Sequence, residues 1–227
     1  MMRRATKHAA PAAPSLAPGD VVPADRRAGF DGTLVSEERY GGLDFPSGSF
    51  AGGNAVHTEF VDCLLAPGDS DGVALAGARM IGCRWTAPRA ASLDARDVRI
   101  DNCEIVEPRF GAADLHGAVL DRVAIDGGKI DYLNLRGATV KDFTITGAVL
   151  GEIDLGEATV GRLRFVDARV GRIDVRHATL ASVDLRGAEL GEVDSLPDLR
   201  GSIINDLQLY DLAPALADHL GIEVSDG

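Results

Sequence analysis

Three cysteines, Cys63, Cys83 and Cys103, stand twenty residues apart. Thiols that converge on one point can hold zinc in a tetrahedron, and thiols with suitably angled Cβ vectors can close a disulfide. A period of twenty favours neither. If twenty residues make one turn of a coil, neighbouring thiols lie about 4.8 Å apart in a line, with parallel Cβ vectors that diverge from any common centre. Such cysteines read as small hydrophobes of a tight core. Their odd number, without a disulfide framework, fits a reducing cytoplasmic setting.

The remaining chemical groups are scattered. His8, His57, His116, His177 and His219 make no metal-binding spacing, and His116 and His177 fall at outward positions. The glycine-rich stretch GGLDFPSGSFAGG precedes no helix whose N-terminus could receive a phosphate. No nucleophile, base and orienting group can be assembled. The expectation is a protein that is not an enzyme, with no catalytic, cofactor-binding or metal-binding residue.

Acidic residues are more ordered. Asp94, Asp114, Asn134, Asp154, Asp174 and Asp194 recur at intervals of twenty and would line up as one column. Such residues either accept hydrogen bonds from nearby backbone at a turn or present a line of negative charge to a partner. Arg96, Arg136 and Arg176 follow two residues later and partly neutralise the stripe. A neighbouring column, Arg89, Arg109, Lys129 and Arg169, is basic.

What must position these columns is a coil. The segment GEIDLGEATVGRLRFVDARVGRIDVRHATL returns an apolar residue at every fifth place, at Leu155, Val160, Phe165, Val170, Val175 and Leu180. Helices recur near 3.6 residues and strands near 2, so neither alone gives this beat. The frame runs from Leu43 to Val193 without net insertion and is weakest at 66–70, where Ser70 takes an apolar slot. A second beat, two residues earlier, alternates large with small: Leu133, Ala138, Phe143, Ala148, Ile153, Ala158, Leu163, Ala168. Four pentapeptides in a square coil would fill a narrow interior this way without voids.

The stretches LRGATV, DLGEATV, DVRHATL and DLRGAEL resemble the A(D/N)LXX motif of the pentapeptide repeat proteins, strictly from 113 to 194 and more loosely before. The resemblance implies an all-β solenoid, a right-handed four-sided parallel β-helix. It also implies, for some members, mimicry of DNA toward DNA gyrase with protection from quinolones, and dimers made through the C-terminal end.

Composition bounds the rest. A net charge of −12 over 227 residues disfavours direct nucleic-acid binding and anionic membranes, and no apolar run reaches spanning length. Residues 1–28 read as a disordered or extended Ala/Pro-rich arm, 29–197 as the β-helix and 198–227 as a short helical cap. The cap carries six acidic residues and one basic, a net of −5. Asn205 and Gln208 predict a capping box, Gly221 a helix stop, and Pro214 two short helices rather than one. Leu212, Leu216 and Leu220 are expected to face the open end of the coil. The functional expectation is a non-catalytic scaffold for an unknown protein partner, with the Asp/Asn column as its candidate surface. The alternative is a DNA mimic with DNA gyrase as its partner.

Overall fold

The apolar beat becomes the inside of a parallel β-solenoid. The computed structural model describes residues 28–30, 32–47, 50–66 and 68–225. The arm expected over 1–28 lies outside them except for Ala28, which begins a first short strand, Ala28–Gly29. Thereafter strands recur at twenty-residue intervals and pair in parallel: Arg99–Val106 with Val119–Asp126, then Thr139–Thr146, then Thr159–Val166. The ladders form a 13-stranded and a 7-stranded sheet. The register Cys103↔Val123↔Phe143↔Leu163↔Val183 carries the cysteine column on through apolar residues.

Phe165, Val160, Val170 and Val175 are at most 1% exposed, as are Ile153, Ala158 and Leu163 of the second beat. The large–small alternation therefore packs one continuous core. Aromatic residues concentrate at the N-terminal end, where Phe30 lies 4.5 Å from Phe45 and Phe50 lies 5.6 Å from Trp85, centroid to centroid. They plug that end of the core.

Turning so often requires backbone that L-residues rarely adopt. Every non-glycine residue with positive φ between 57 and 177, among them Asp97, Glu157 and His177, sits two places after a beat residue. Glycine fills the same place at Gly77, Gly117 and Gly137, where the absence of Cβ removes the cost.

The C-terminal end differs from expectation in two respects. A single helix, α1 (Asp206–His219), runs through Pro214 in place of two short ones. Proline cannot serve the Tyr210 carbonyl one turn back, but Tyr210 is 82% exposed, so water can. Leu212 and Leu216 are half-buried as expected, whereas Leu220 is 69% exposed because it is the C-cap, beyond the last turn. Gly221 (φ 69°) ends the helix: its N–H donates to Asp218 O and that of Ile222 to Ala217 O, a Schellman closure. The ladder itself continues to a strand at Ser202–Ile203, which pairs with Val183 and Asp184.

Candidate interaction surface

The six residues of the Asp/Asn column are Cα partners in consecutive rungs, Asp94↔Asp114↔Asn134↔Asp154↔Asp174↔Asp194. The first five use one side-chain oxygen in the same way. It accepts the backbone N–H two residues on: Arg96 (3.4 Å), His116 (3.1 Å), Arg136 (3.0 Å), Gly156 (2.7 Å) and Arg176 (2.9 Å). These are Asx turns, so the residue type is set first by the backbone that each coil must fold.

The second oxygen meets arginine. Arg96 forks onto Asp94 with both contacts at 2.9 Å, and Arg176 grips Asp174 of its own coil. Arg136 has a neutral Asn134 where the others have Asp, and it reaches onward. Its guanidinium lies 3.2 Å from Asp154, 3.6 Å from Asp174 and 3.0 Å from Glu157. Tyr132 adds its hydroxyl to Asp154 at 3.4 Å. Asp154 and Asp174 are thereby buried, at 6% and 2% exposure, while the carboxylates of Asp94 and Asp114 remain about 40% exposed. Hydrogen bonds from Arg176 hold the Asp174 carboxyl below the usual carboxylate range, and those from Arg96 do the same for Asp94.

One pair with a buried carboxylate and a part-exposed arginine carries no periodic signal in the sequence. Asp142, 2% exposed, accepts from Arg162 on the next rung at 2.5 and 2.6 Å. Asn102 and Arg122 in the same column take positive φ, but Asp142 and Arg162 do not. A periodicity argument cannot see that change of backbone.

The basic column is also in register, Arg89↔Arg109↔Lys129. Lys129 pairs with Asp131 at 2.7 Å and Arg169 with Glu189 at 2.9 Å. His116 and His177 are exposed.

The cysteines are free and buried. Cys83 donates its thiol to Phe60 O at 3.5 Å, and its backbone N–H donates to Cys103 Sγ at 3.3 Å. Stacked thiols and burial raise the Cys63 and Cys83 thiols well above the ordinary range, which keeps them protonated. Among the described residues no group of three His, Cys, Asp or Glu could hold a metal ion. No helix among them is long and apolar enough to cross a membrane.

Against the expectation that no GxSxG is present, the segment 68–72, GDSDG, has that pattern of a nucleophile elbow. An elbow serine stands exposed on a strand-to-helix turn. Ser70 is 2% exposed in an apolar slot, and the chain runs on into further rungs, so no elbow forms.

Fold and columns together define a repeat protein, a parallel β-solenoid of twenty-residue coils with one C-terminal helix. No protein-family model matches the sequence, and no curated protein matches it. Solved structures of QnrB1, a plasmid-mediated fluoroquinolone resistance protein, do align. Two trypsin-treated variants match at 18% and 19% identity over 86% and 87% of this chain and 99% and 100% of theirs, with TM-scores of 0.35 and 0.34. The full-length form matches at 18% identity over 83% of this chain and 100% of its own, with a TM-score of 0.30.

Proposed function

We propose that this chain is a pentapeptide repeat protein, four-sided in section, acting in the cytoplasm as a non-catalytic scaffold that offers a fixed surface to a protein partner. The observation that carries this reading is the run of in-register columns whose charges are tied across rungs by Arg136, Arg162 and Arg169. A surface held that way is preorganised, so little ordering is left to oppose association. The C-terminal end supplies a second feature. Leu207, Tyr210, Leu220, Ile222 and Val224 are all more than half exposed, an apolar group of the kind that marks a protein contact, and a homodimer through this end fits it.

Two measurements test the reading. Light scattering on the wild type and on L207D/Y210D should show a dimer lost in the variant. Partners retained from lysate should survive D94K/D114K or be lost by it, which assigns or clears the Asp/Asn column. The alternative, a DNA mimic bound to DNA gyrase, would use Asp94 and Asp114, the column carboxylates left open to a partner. Gyrase supercoiling of plasmid DNA, with and without a quinolone, separates the two. Inhibition or protection that D94K/D114K abolishes supports the mimic, and no effect at large excess leaves the scaffold.

A further inference from the structure

The 7-stranded sheet turns outward a column of cations, Arg89↔Arg109↔Lys129, continued in register by Val149 and Arg169. Like charges that face each other across rungs are destabilising unless something bridges them. Elsewhere on the rod an arginine does so. Arg96 lies between Asp94 and Asp114, Arg122 between Asp101 and Asp121, and Arg136 between Asp154 and Asp174. Arg89 and Arg109 are exposed, and neither has an ion pair among the described residues. Asp69, the other rung partner of Arg89, uses its carboxylate to accept the Asp71 N–H at 2.9 Å instead. Lys129 is held by Asp131 and Arg169 by Glu189, which leaves two uncompensated cations side by side.

The same face has the opposite charge further along the rod. A groove of about 650 Å³ crosses the rungs at 147–149, 167–169 and 187–191 and is bounded by Leu207 and Asp211 of α1. Asp167 and Asp211 on its walls are exposed and have no ion pair among the described residues. The groove's arginines are engaged, Arg169 by Glu189 and Arg186 by Asp184. Beside the cations, the next outward column holds Gly111, Gly151, Gly171 and Gly191, where a Cβ would come within 2.6 Å of a carbonyl on the preceding rung. No side chain rises at those places, so another backbone can come close.

Resting on the scaffold reading above, we propose that this face docks a helix of the protein partner, lying along the rod, with acidic residues over Arg89 and Arg109 and basic residues over Asp167 and Asp211. The spacings select a helix. Rungs stand about 4.8 Å apart and residues i and i+3 of a helix about 4.5 Å apart along its axis, so two acids one turn apart meet the two arginines. Val149 lies three rungs from Arg89, about 14.4 Å, and residue i+10 lies about 15 Å on, where an aliphatic side chain covers it. The rung of Asp167 is one step further, at about 19 Å, opposite residue i+13 at about 19.5 Å. An extended strand advances about 6.6 Å between side chains on one face and falls out of step with the rungs. Acid toward the N-terminus and base toward the C-terminus also suit the helix dipole, which sets the helix's direction along the rod.

The test is an amide-resolved titration of the full chain with two synthetic alanine-based helices of one composition, each of about eighteen residues. One carries Glu in its first turns, Leu at i+10 and Lys in its last turn; the other interleaves the same Glu and Lys. Expected are shifts at Arg89, Arg109, Val149 and Gly187–Gly191, with a dissociation constant about tenfold lower for the first peptide. R89Q/R109Q and D167N/D211N should each weaken that binding, whereas R79Q/R99Q, an equal loss of charge from the other sheet, should leave it intact. Equal binding of the two peptides, no shift at peptide excess, or indifference to R89Q/R109Q overturns the proposal. So do shifts confined to Arg89 and Arg109 that inorganic phosphate reproduces, because the place is then one for an isolated anion. Lysate partners retained by R89Q/R109Q as by the wild type would leave the scaffold standing and remove this docking mode.

Discussion

Arg136 lies across the space that a side chain at residue 156 would fill: a Cβ built on Gly156 would come within 2.6 Å of the guanidinium. Gly156 does not have positive φ, so the backbone tolerates any residue there. Glycine is kept by what passes over it. The guanidinium can then reach two carboxylates on successive rungs, Asp154 and Asp174; Arg176 also holds Asp174, so it is the buried Asp154 that depends on Arg136.

Removing the arginine should therefore cost more than removing a surface ion pair. Arg136→Ala is expected to lower stability by about 3 kcal/mol, in the range for stranding a buried charge, read as a lower urea midpoint. Gly156→Ala should cost less, because the arginine can swing away at the expense of its pairs. In the Arg136→Ala background the same change should be nearly neutral, and equal costs in both backgrounds would disprove the relationship.

Acid should weaken the rod through the carboxyls that arginine holds down. Asp174 and Asp94 have folded pKa values below the unfolded one, about 3.9. Their contribution is present above that pH and is lost as pH falls through the folded values. Arg176→Gln should move the acid unfolding transition to higher pH. Superimposable acid curves for wild type and variant would refute the assignment.

Alkali acts through the thiols. The folded pKa values of Cys63 and Cys83 lie above the unfolded value of about 8.5, so their contribution is complete below that pH and declines as pH rises beyond it. A thiol reagent at neutral pH should find no reactive cysteine in the folded protein and three after denaturation. Rapid labelling of the native chain would contradict the buried ladder.

Gln208 makes four hydrogen bonds, two of which join cap to coil. It exchanges two with Asn205, at 2.9 and 3.0 Å, and donates two to Leu185 and Ala188. Gln208→Ala strands two carbonyls and should cost about 2 kcal/mol, with earlier loss of amide protection in the helix than in the central coils. Uniform loss along the chain would argue against a local joint.

Much of this was legible from a period. The beat at Phe165 and its neighbours separates inside from outside because a narrow core admits apolar residues only at fixed places. The Asx turns of the Asp/Asn column follow from the same frame. Glycine at Gly77, Gly117 and Gly137 already marked the left-handed places, although the reading did not use them. The Asp142–Arg162 pair lies beyond periodicity because it depends on a backbone change within one column. Helix α1 exceeded its prediction at Pro214, where exposure of Tyr210 relieves a penalty that local rules assume in full.

The twenty-residue register has a bearing on how such a chain can change length. Deleting one whole coil, such as 119–138, would rejoin every column to itself and leave a shorter ruler of the same cross-section. Deleting fifteen residues would keep the apolar beat and still hand each column to a different neighbour, so that Asp154 and Asp174 would arrive where Thr139 and Thr159 had been. The molecule's own first rung contains that shift, since Ala28 pairs with Leu43 only fifteen residues on. Drift in length is thus tolerated at the rim, whereas within the rod it can proceed only in whole turns.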